Sequence, residues 1–219
     1  MRERPAGQAA VLLDFTATPA PRAATMAAIA ALRRASESGG LPGIVDLVPT
    51  ATTILVQGTP ETGIDDLALH RALRGGGQST DDDDADEVVI PVHYDGPDLH
   101  DVALHLGWTP GAVVASHTGI AWRVEFMGFA PGFGYLVPDD PEDRCPPCEL
   151  PRRDESRPRV DAGSVAVAAG YSAVYPGASP GGWNLLGHTD FPLWDAAADP
   201  PTPLRAGTIV RFVDAGEPR

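Results

Sequence analysis

Residues 74–86 hold three glycines, a run of aspartates and almost no apolar side chain. A stretch that repels itself and has nothing to bury cannot run through a core, so it divides the chain. The expected organisation is a first domain over residues 1–80, an acidic linker over residues 81–87 and a second domain over residues 88–219. With 219 residues, 43% of them apolar, each part has the material for a core. The same tract carries much of the acidity. The formal net charge is −14, and setting aside Asp81, Asp82, Asp83, Asp84, Asp86 and Glu87 leaves −8 on the rest.

In the first part, residues 8–15 read as a strand and residues 21–35 as a helix stopped by Gly39-Gly40. Two β-branched runs, residues 44–48 and 53–56, flank Pro49-Thr50-Ala51-Thr52, and a second helix follows over about residues 65–73. This β-α-β-β-α order suits an α+β domain with helices on one face of a small sheet, similar to a ferredoxin-like half. In the second part, residues 88–93 and 120–126 read as strands. Between them lie a short helix over residues 98–106 and another opened by the cap and N1 proline of Thr109-Pro110. Further short strands are expected at residues 164–169, 173–175, 183–186 and 208–213. Such a pattern favours a mainly-β barrel, because closing the sheet removes its exposed edges, and the loops at its mouth are where a ligand site forms.

Composition excludes several functions. The acidity argues against nucleic acid or an anionic membrane as a partner, since both require clustered positive charge. All sixteen basic residues are arginine. Without lysine there is no biotin attachment point, no Schiff base for pyridoxal phosphate, no Walker lysine and no lysine base for a serine amidase. No apolar run is long enough to span a bilayer and no signal pattern opens the chain, so the cytoplasm is the expected location. Cys145-Pro146-Pro147-Cys148 lacks the further ligands of a zinc site and the strand-to-helix context of a redox pair. Two reduced thiols in a loop are expected, and no metal site.

Glycine, proline and aromatic residues recur in close register over residues 127–136 and 179–189. Glycine lets backbone approach a ligand, proline fixes φ, and aromatic rings wall a pocket. Gly177-Ala178-Ser179-Pro180-Gly181 matches the nucleophile-elbow pattern, but Pro180 has no N–H for an oxyanion and the strand-turn-helix context is missing. Ser179 is therefore read as a turn or contact residue. Asn184 and His188 would share one side of a regular strand and together orient a polar substrate; a structural hydrogen-bonding role is the alternative for His188. Arg152, Arg153, Arg157 and Arg159 concentrate four guanidinium groups in eight positions, suited to carboxylate, carbonate or phosphate, or else to the nearby Glu149, Asp154, Glu155 and Asp161.

These residues resemble a known family, that of the B component of bacterial 5-oxoprolinase, or allophanate hydrolase subunit 1. The family is also described as carboxyltransferase subdomain C and D and includes a sporulation kinase inhibitor-like branch. The resemblance runs through Ile90-Pro91-Val92, Gly96-Pro97-Asp98-Leu99, Gly128-Phe129-Ala130-Pro131-Gly132-Phe133-Gly134-Tyr135-Leu136, Pro151-Arg152-Arg153, Pro158-Arg159, Ala162-Gly163-Ser164-Val165, Tyr175-Pro176, Ser179-Pro180-Gly181-Gly182-Trp183 and Gly187-His188-Thr189, and reaches Leu204-Arg205-Ala206-Gly207 and Val210-Arg211-Phe212. It implies an N-terminal α+β, ferredoxin-like domain and a C-terminal cyclophilin-like β-barrel. It further implies a larger barrel partner, which is the C component of 5-oxoprolinase or allophanate hydrolase subunit 2, and a possible third protein, the A component of 5-oxoprolinase. Such a complex uses ATP to open 5-oxoproline to glutamate.

The roles implied on this chain are as follows. Arg153 and Arg159 steady anionic groups, His188 moves a proton, and Asn184 and Tyr175 orient the amide. Phe129, Phe133 and Trp183 exclude water, and Ser164 belongs to the substrate-binding set. Two other readings stay open, a carboxyltransferase component acting on a urea-like acceptor and a kinase-regulating binding module. The missing lysine means that the chain carries no biotin. Tyr171-Ser172-Ala173 stands where the family commonly has Gln-Thr-Gly, which leaves the substrate open.

Overall fold

The structure is a computed structural model and describes residues 1–75 and 86–216. The chain divides into two compact units, Met1–Asp84 and Ala85–Arg219. Most of the acidic tract lies outside the described residues. Its last two carboxylates form ion pairs, Asp86 with Arg205 (2.8 Å) and Glu87 with Arg211 (3.2 Å), and Glu87 already belongs to the first strand of the second unit rather than to a linker.

The first unit contains β1 (Arg2–Pro5), β2 (Ala10–Asp14), α1 (Pro21–Glu37), β3 (Ile44–Pro49), β4 (Thr53–Gly58) and α2 (Asp66–Arg74). Its sheet is antiparallel, in the order β1-β2-β4-β3. Thr25, Ala28, Ile29 and Leu32 recur at helical spacing on α1 and are buried, and Ile54 and Val56 alternate inward from β4. They meet Leu13 and, from α2, Leu69 in one core. The expected β-α-β-β-α order runs from β2 to α2. β1 is added at the edge beside β2, exposed and tied by Arg4 to Asp14 at 3.0 Å.

The second unit begins with β5 (Glu87–Val92), α3 (Leu99–Leu106), α4 (Pro110–Thr118), β6 (Trp122–Met127), β7 (Gly134–Pro138) and α5 (Pro146–Glu149). It continues with β8 (Arg157–Val160), β9 (Ser164–Ala168), β10 (Tyr171–Val174), β11 (Ser179–Gly181), β12 (Asn184–His188) and β13 (Ile209–Asp214). Seven strands form one sheet in the order β12-β9-β10-β7-β6-β13-β5, with only the β13–β5 pair parallel. β8 and β11 form a separate ribbon.

The sheet curls until its two edges nearly meet. Beyond β5, His93 and His188 exchange both backbone hydrogen bonds (2.8 and 2.9 Å), and the amides of Gly96 and Asp98 donate to the carbonyls of Leu186 and Leu185. Gly187 permits this seam, since a Cβ there would run into the His93 carbonyl. Trp122, Val124, Leu136, Val165, Val167 and Phe212 are fully or almost fully buried.

A polar chain crosses this core: the His117 ring is hydrogen-bonded to the Tyr94 hydroxyl through Nδ1 (2.7 Å) and to the Ser172 hydroxyl through Nε2 (2.8 Å). Every polar atom of the ring thus has a partner, as burial requires. The Thr109 side chain accepts from the Ala112 amide and caps α4 as expected. Cys145 and Cys148 correct the reading of reduced thiols in a loop. Pro146 starts a single helical turn that brings the two Cα atoms to 5.4 Å, and the sulfurs are joined as a disulfide.

Candidate functional site

The two glycine-aromatic segments converge. After β6, residues 128–133 form a tight turn closed by the Gly128 amide on the Phe133 carbonyl (3.1 Å) and the Phe133 amide on the Ala130 carbonyl (3.0 Å). Phe129 takes the left-handed conformation there (φ 66°), uncommon for an aromatic residue, and the residue is 61% exposed. From the other side come Pro180, Gly181, Gly182 and Trp183. Together they bound a cleft of about 210 Å³ lined by Phe129, Phe133, Tyr135, Tyr175 and Trp183, with Arg152 and Ser156 as its polar side chains.

The rings pack edge to face, Phe133 against Tyr175 at 5.4 Å and against Trp183 at 5.8 Å, which fixes the walls. A Cβ at Gly181 would collide with the Tyr175 hydroxyl, so only glycine leaves that phenol its place. Burial raises the phenols of Tyr135 and Tyr175 above the ordinary phenol range, with Arg152 pulling the other way. Both are neutral hydrogen-bond donors at physiological pH. The Trp183 backbone amide also favours the ionised form of Tyr175, without reversing the effect of burial.

The four clustered arginines have separate fates. Arg153 and Arg157 both donate to Asp98 Oδ1 at 2.7 Å, while Asp98 Oδ2 accepts from the Leu185 amide at 2.7 Å; the Asp98 side chain is 3% exposed. These bonds tie the arginine segment to β12. Arg157 Nη1 is buried without a partner among the described residues, as is Ser179 Oγ in β11. Arg159 pairs with Asp161 at the surface (2.9 Å) and lines no described cleft. Among the described residues Arg152 alone of the four has no carboxylate partner. Its guanidinium carbon stands 6.0 Å from the Trp183 ring centre.

The remaining expected residues are dispersed. Asn184 Nδ2 donates to the Pro151 and Val167 carbonyls (3.2 and 3.3 Å), holding a loop to the barrel. His188 is bonded through Nδ1 to Asp95 (2.8 Å) and stacks on His93, outside the aromatic cleft. Asn184 and His188 do not share a site because β12 is irregular between Leu185 and Gly187, so the even spacing does not carry through. Ser164 is buried in β9 as the ladder partner of His188. Tyr171, the departure from the family pattern, does not line the aromatic cleft. It buttresses Tyr135 and Trp183 from behind, with its hydroxyl on Glu125 (2.9 Å).

Arg152, Tyr135 and Ser156 are wall residues outside the expected site set. Tyr135 follows Phe133 at the two-residue interval of a strand face, a signal present in the sequence. Nothing local separates Arg152 from Arg153, since the carboxylate that distinguishes them lies 55 residues away.

The model of the carboxyltransferase domain, subdomain C and D, matches residues 1–204. The chain belongs to that family. Within it, the chain is 37% identical to the B component of 5-oxoprolinase from Escherichia coli O157:H7 over 185 residues, 81% of each chain. Among solved structures it is similar to TTHA0988, with TM-score 0.77, 35% identity and 95% of this chain covered. The chain spans only 40% of that protein. It also shares the fold of part of Kluyveromyces lactis urea carboxylase, with TM-score 0.72 and 18% identity over 98% of this chain and 22% of that one.

Proposed function

We propose that this family member is the small subunit of an ATP-dependent 5-oxoprolinase complex that opens 5-oxoproline to glutamate, working with a larger homologous barrel protein and, in the full assembly, a third component. On this reading the second unit is a cyclophilin-like barrel and the first a ferredoxin-like variant. The observation that carries the proposal is the aromatic cleft with a guanidinium, that of Arg152, which has no carboxylate partner among the described residues. Its volume of about 210 Å³ suits a five-membered ring and falls below the roughly 300–1,000 Å³ of clefts that hold drug-sized ligands. Arg152 takes the carboxylate of 5-oxoproline, and the neutral phenols of Tyr135 and Tyr175 donate to its lactam oxygen. Phe129 covers the ring and, with Phe133 and Trp183, keeps water out. The relatives named as the B component of 5-oxoprolinase support the substrate and the multi-subunit setting.

An unactivated lactam resists hydrolysis. ATP supplies a phosphoryl group that makes its carbonyl carbon a better electrophile. The aromatic cleft is too small for a nucleotide together with the ring, and the expected general-acid residue, His188, is held by Asp95 elsewhere. Proton transfer in the proposed reaction therefore falls to Tyr175 or to a group of the partner. The test is to co-express the chain with its larger partner and measure ADP release with and without 5-oxoproline. Release that depends on 5-oxoproline supports the proposal. Carboxylation of a urea-like acceptor with a biotinylated partner, and no response to 5-oxoproline, would replace it with the carboxyltransferase reading.

A further inference from the structure

The ribbon of β8 and β11 reaches the aromatic cleft through Pro180 and Gly181. In that ribbon Gly181 stands directly opposite Arg157. Opposed residues of an antiparallel pair project from the same face, with Cβ atoms about 5 Å apart. The Cβ direction of Gly181 runs into the Tyr175 hydroxyl, so Arg157 leaves the ribbon on the face that meets Tyr175. Arg157 is not itself a wall of the cleft. We infer that Arg157 is a positioning residue for Tyr175, holding a buried N–H group ready for the phenolate that forms when Tyr175 gives up its proton. This role rests on the proposed lactam opening and names the group that supports its proton donor.

Three features single out Arg157. Its Nη2 donates to Asp98 Oδ1 at 2.7 Å, but its Nη1 is buried with no partner among the described residues. A buried donor left unpaired is costly, so its retention points to an acceptor that arises at another stage of the reaction. The second feature is charge. Arg153 and Arg157 share the single buried carboxylate of Asp98, and the cluster keeps a net positive charge. The third is the response of the phenol. Burial raises Tyr175, Arg152 draws it back, Tyr135 adds to the rise, and the Trp183 amide and Arg157 lower it again. On the proposed reading the substrate carboxylate neutralises Arg152, which leaves Arg157 as the cation that stabilises the phenolate.

In the lactam opening, water forms the new bond at the carbonyl carbon and releases a proton to solvent. The C–N bond breaks with its electron pair kept by nitrogen, and nitrogen takes the Tyr175 proton. Solvent then returns a proton to the phenolate. A donor idle before the transfer and engaged after it favours the transition state over the resting state, which raises kcat rather than substrate affinity.

The test reads Tyr175 directly. The chain is labelled with fluorotyrosine, whose phenol is more acidic than that of tyrosine, and titrated by fluorine NMR. The Tyr175 signal is assigned by its loss in Tyr175→Phe. Arg157→Gln should move the Tyr175 titration upward by about one pH unit, with Asp98 still held by Arg153 and the Leu185 amide. Arg157→Lys keeps a cation on Asp98 but has no second nitrogen. It should shift the titration less, in the same direction, and it decides the matter if Arg157→Gln does not fold. In the complex with the larger partner, Arg157→Gln should lower kcat for 5-oxoproline-dependent ADP release about tenfold and leave KM within about twofold. The alkaline limb of its kcat profile should move to higher pH with the phenol, because the donor must stay protonated. A Tyr175 signal that titrates in every folded variant as in the unaltered chain would overturn the role of Arg157, as would a raised KM with unchanged kcat. A titration that shifts as expected, in a complex with no response to 5-oxoproline, would sink the substrate assignment and leave the pairing of Arg157 with Tyr175 standing.

Discussion

Arg152 and Arg153 are adjacent, identical in type and different in employment. Arg153 is locked with Arg157 on the buried carboxylate of Asp98, whereas Arg152 lines the aromatic cleft and has no carboxylate partner among the described residues. Replacing Arg152 by Gln removes a charge-assisted contact worth about 2 kcal/mol, so the KM of the complex for 5-oxoproline should rise roughly thirtyfold. Arg152→Lys should restore part of the loss, and steady-state kinetics decides. A second residue gives a pH prediction. Burial keeps His117 neutral in the folded chain, with its pKa lowered to about 3 from an ordinary 6.5. Between those limits the unfolded chain binds the extra proton, so stability is complete above about pH 6.5. It falls by about 1.4 kcal/mol per unit as the pH drops toward 3. Urea unfolding at pH 7 and pH 5 should show a lower midpoint at pH 5, and His117→Phe should flatten that dependence even if it lowers overall stability.

At the scale of elements, the seam between the end of β5 and β12 holds the barrel closed. Gly187→Ala drives a Cβ into the His93 carbonyl and should cost about 2–3 kcal/mol, read as a drop in the urea midpoint without a change in the first unit's helices. The same elements show what was legible in the sequence. The stripe of Thr25, Ala28, Ile29 and Leu32 announces α1, and Thr109-Pro110 announces α4, because both signals are local. β1 was not legible, since Arg-Glu-Arg-Pro has no apolar alternation and is held by pairing with β2 and by the contact of Glu3 with His70 (3.4 Å). β7 begins inside the glycine-aromatic segment, where no strand was expected, and Gly134–Pro138 continues the sheet beside β6. Convergence of that segment with residues 179–183 was readable from shared composition. The separate fates of the four arginines and the break in β12 that parts Asn184 from His188 were not, because each is decided by a long-range partner or a local irregularity.

The whole molecule consists of two compact units, and the cleft, its arginines and its aromatic walls all belong to the second, within Ala85–Arg219. The chain covers 81% of the E. coli relative but 40% of TTHA0988, so a relative exists in which this fold is joined to further polypeptide. The cleft holds a cation and phenols but, among its lining residues, no activated nucleophile. The proposed reaction therefore needs groups from another chain, and the solitary protein should bind 5-oxoproline weakly and turn over none. The most direct measurement is 5-oxoproline-dependent ADP release, compared for the isolated chain, the chain with its larger partner, and that pair carrying Arg152→Gln. The expected result is release by the pair alone, severely reduced at low 5-oxoproline concentration in the Arg152→Gln pair. Full turnover by the isolated chain, or a pair indifferent to both 5-oxoproline and Arg152, would contradict it.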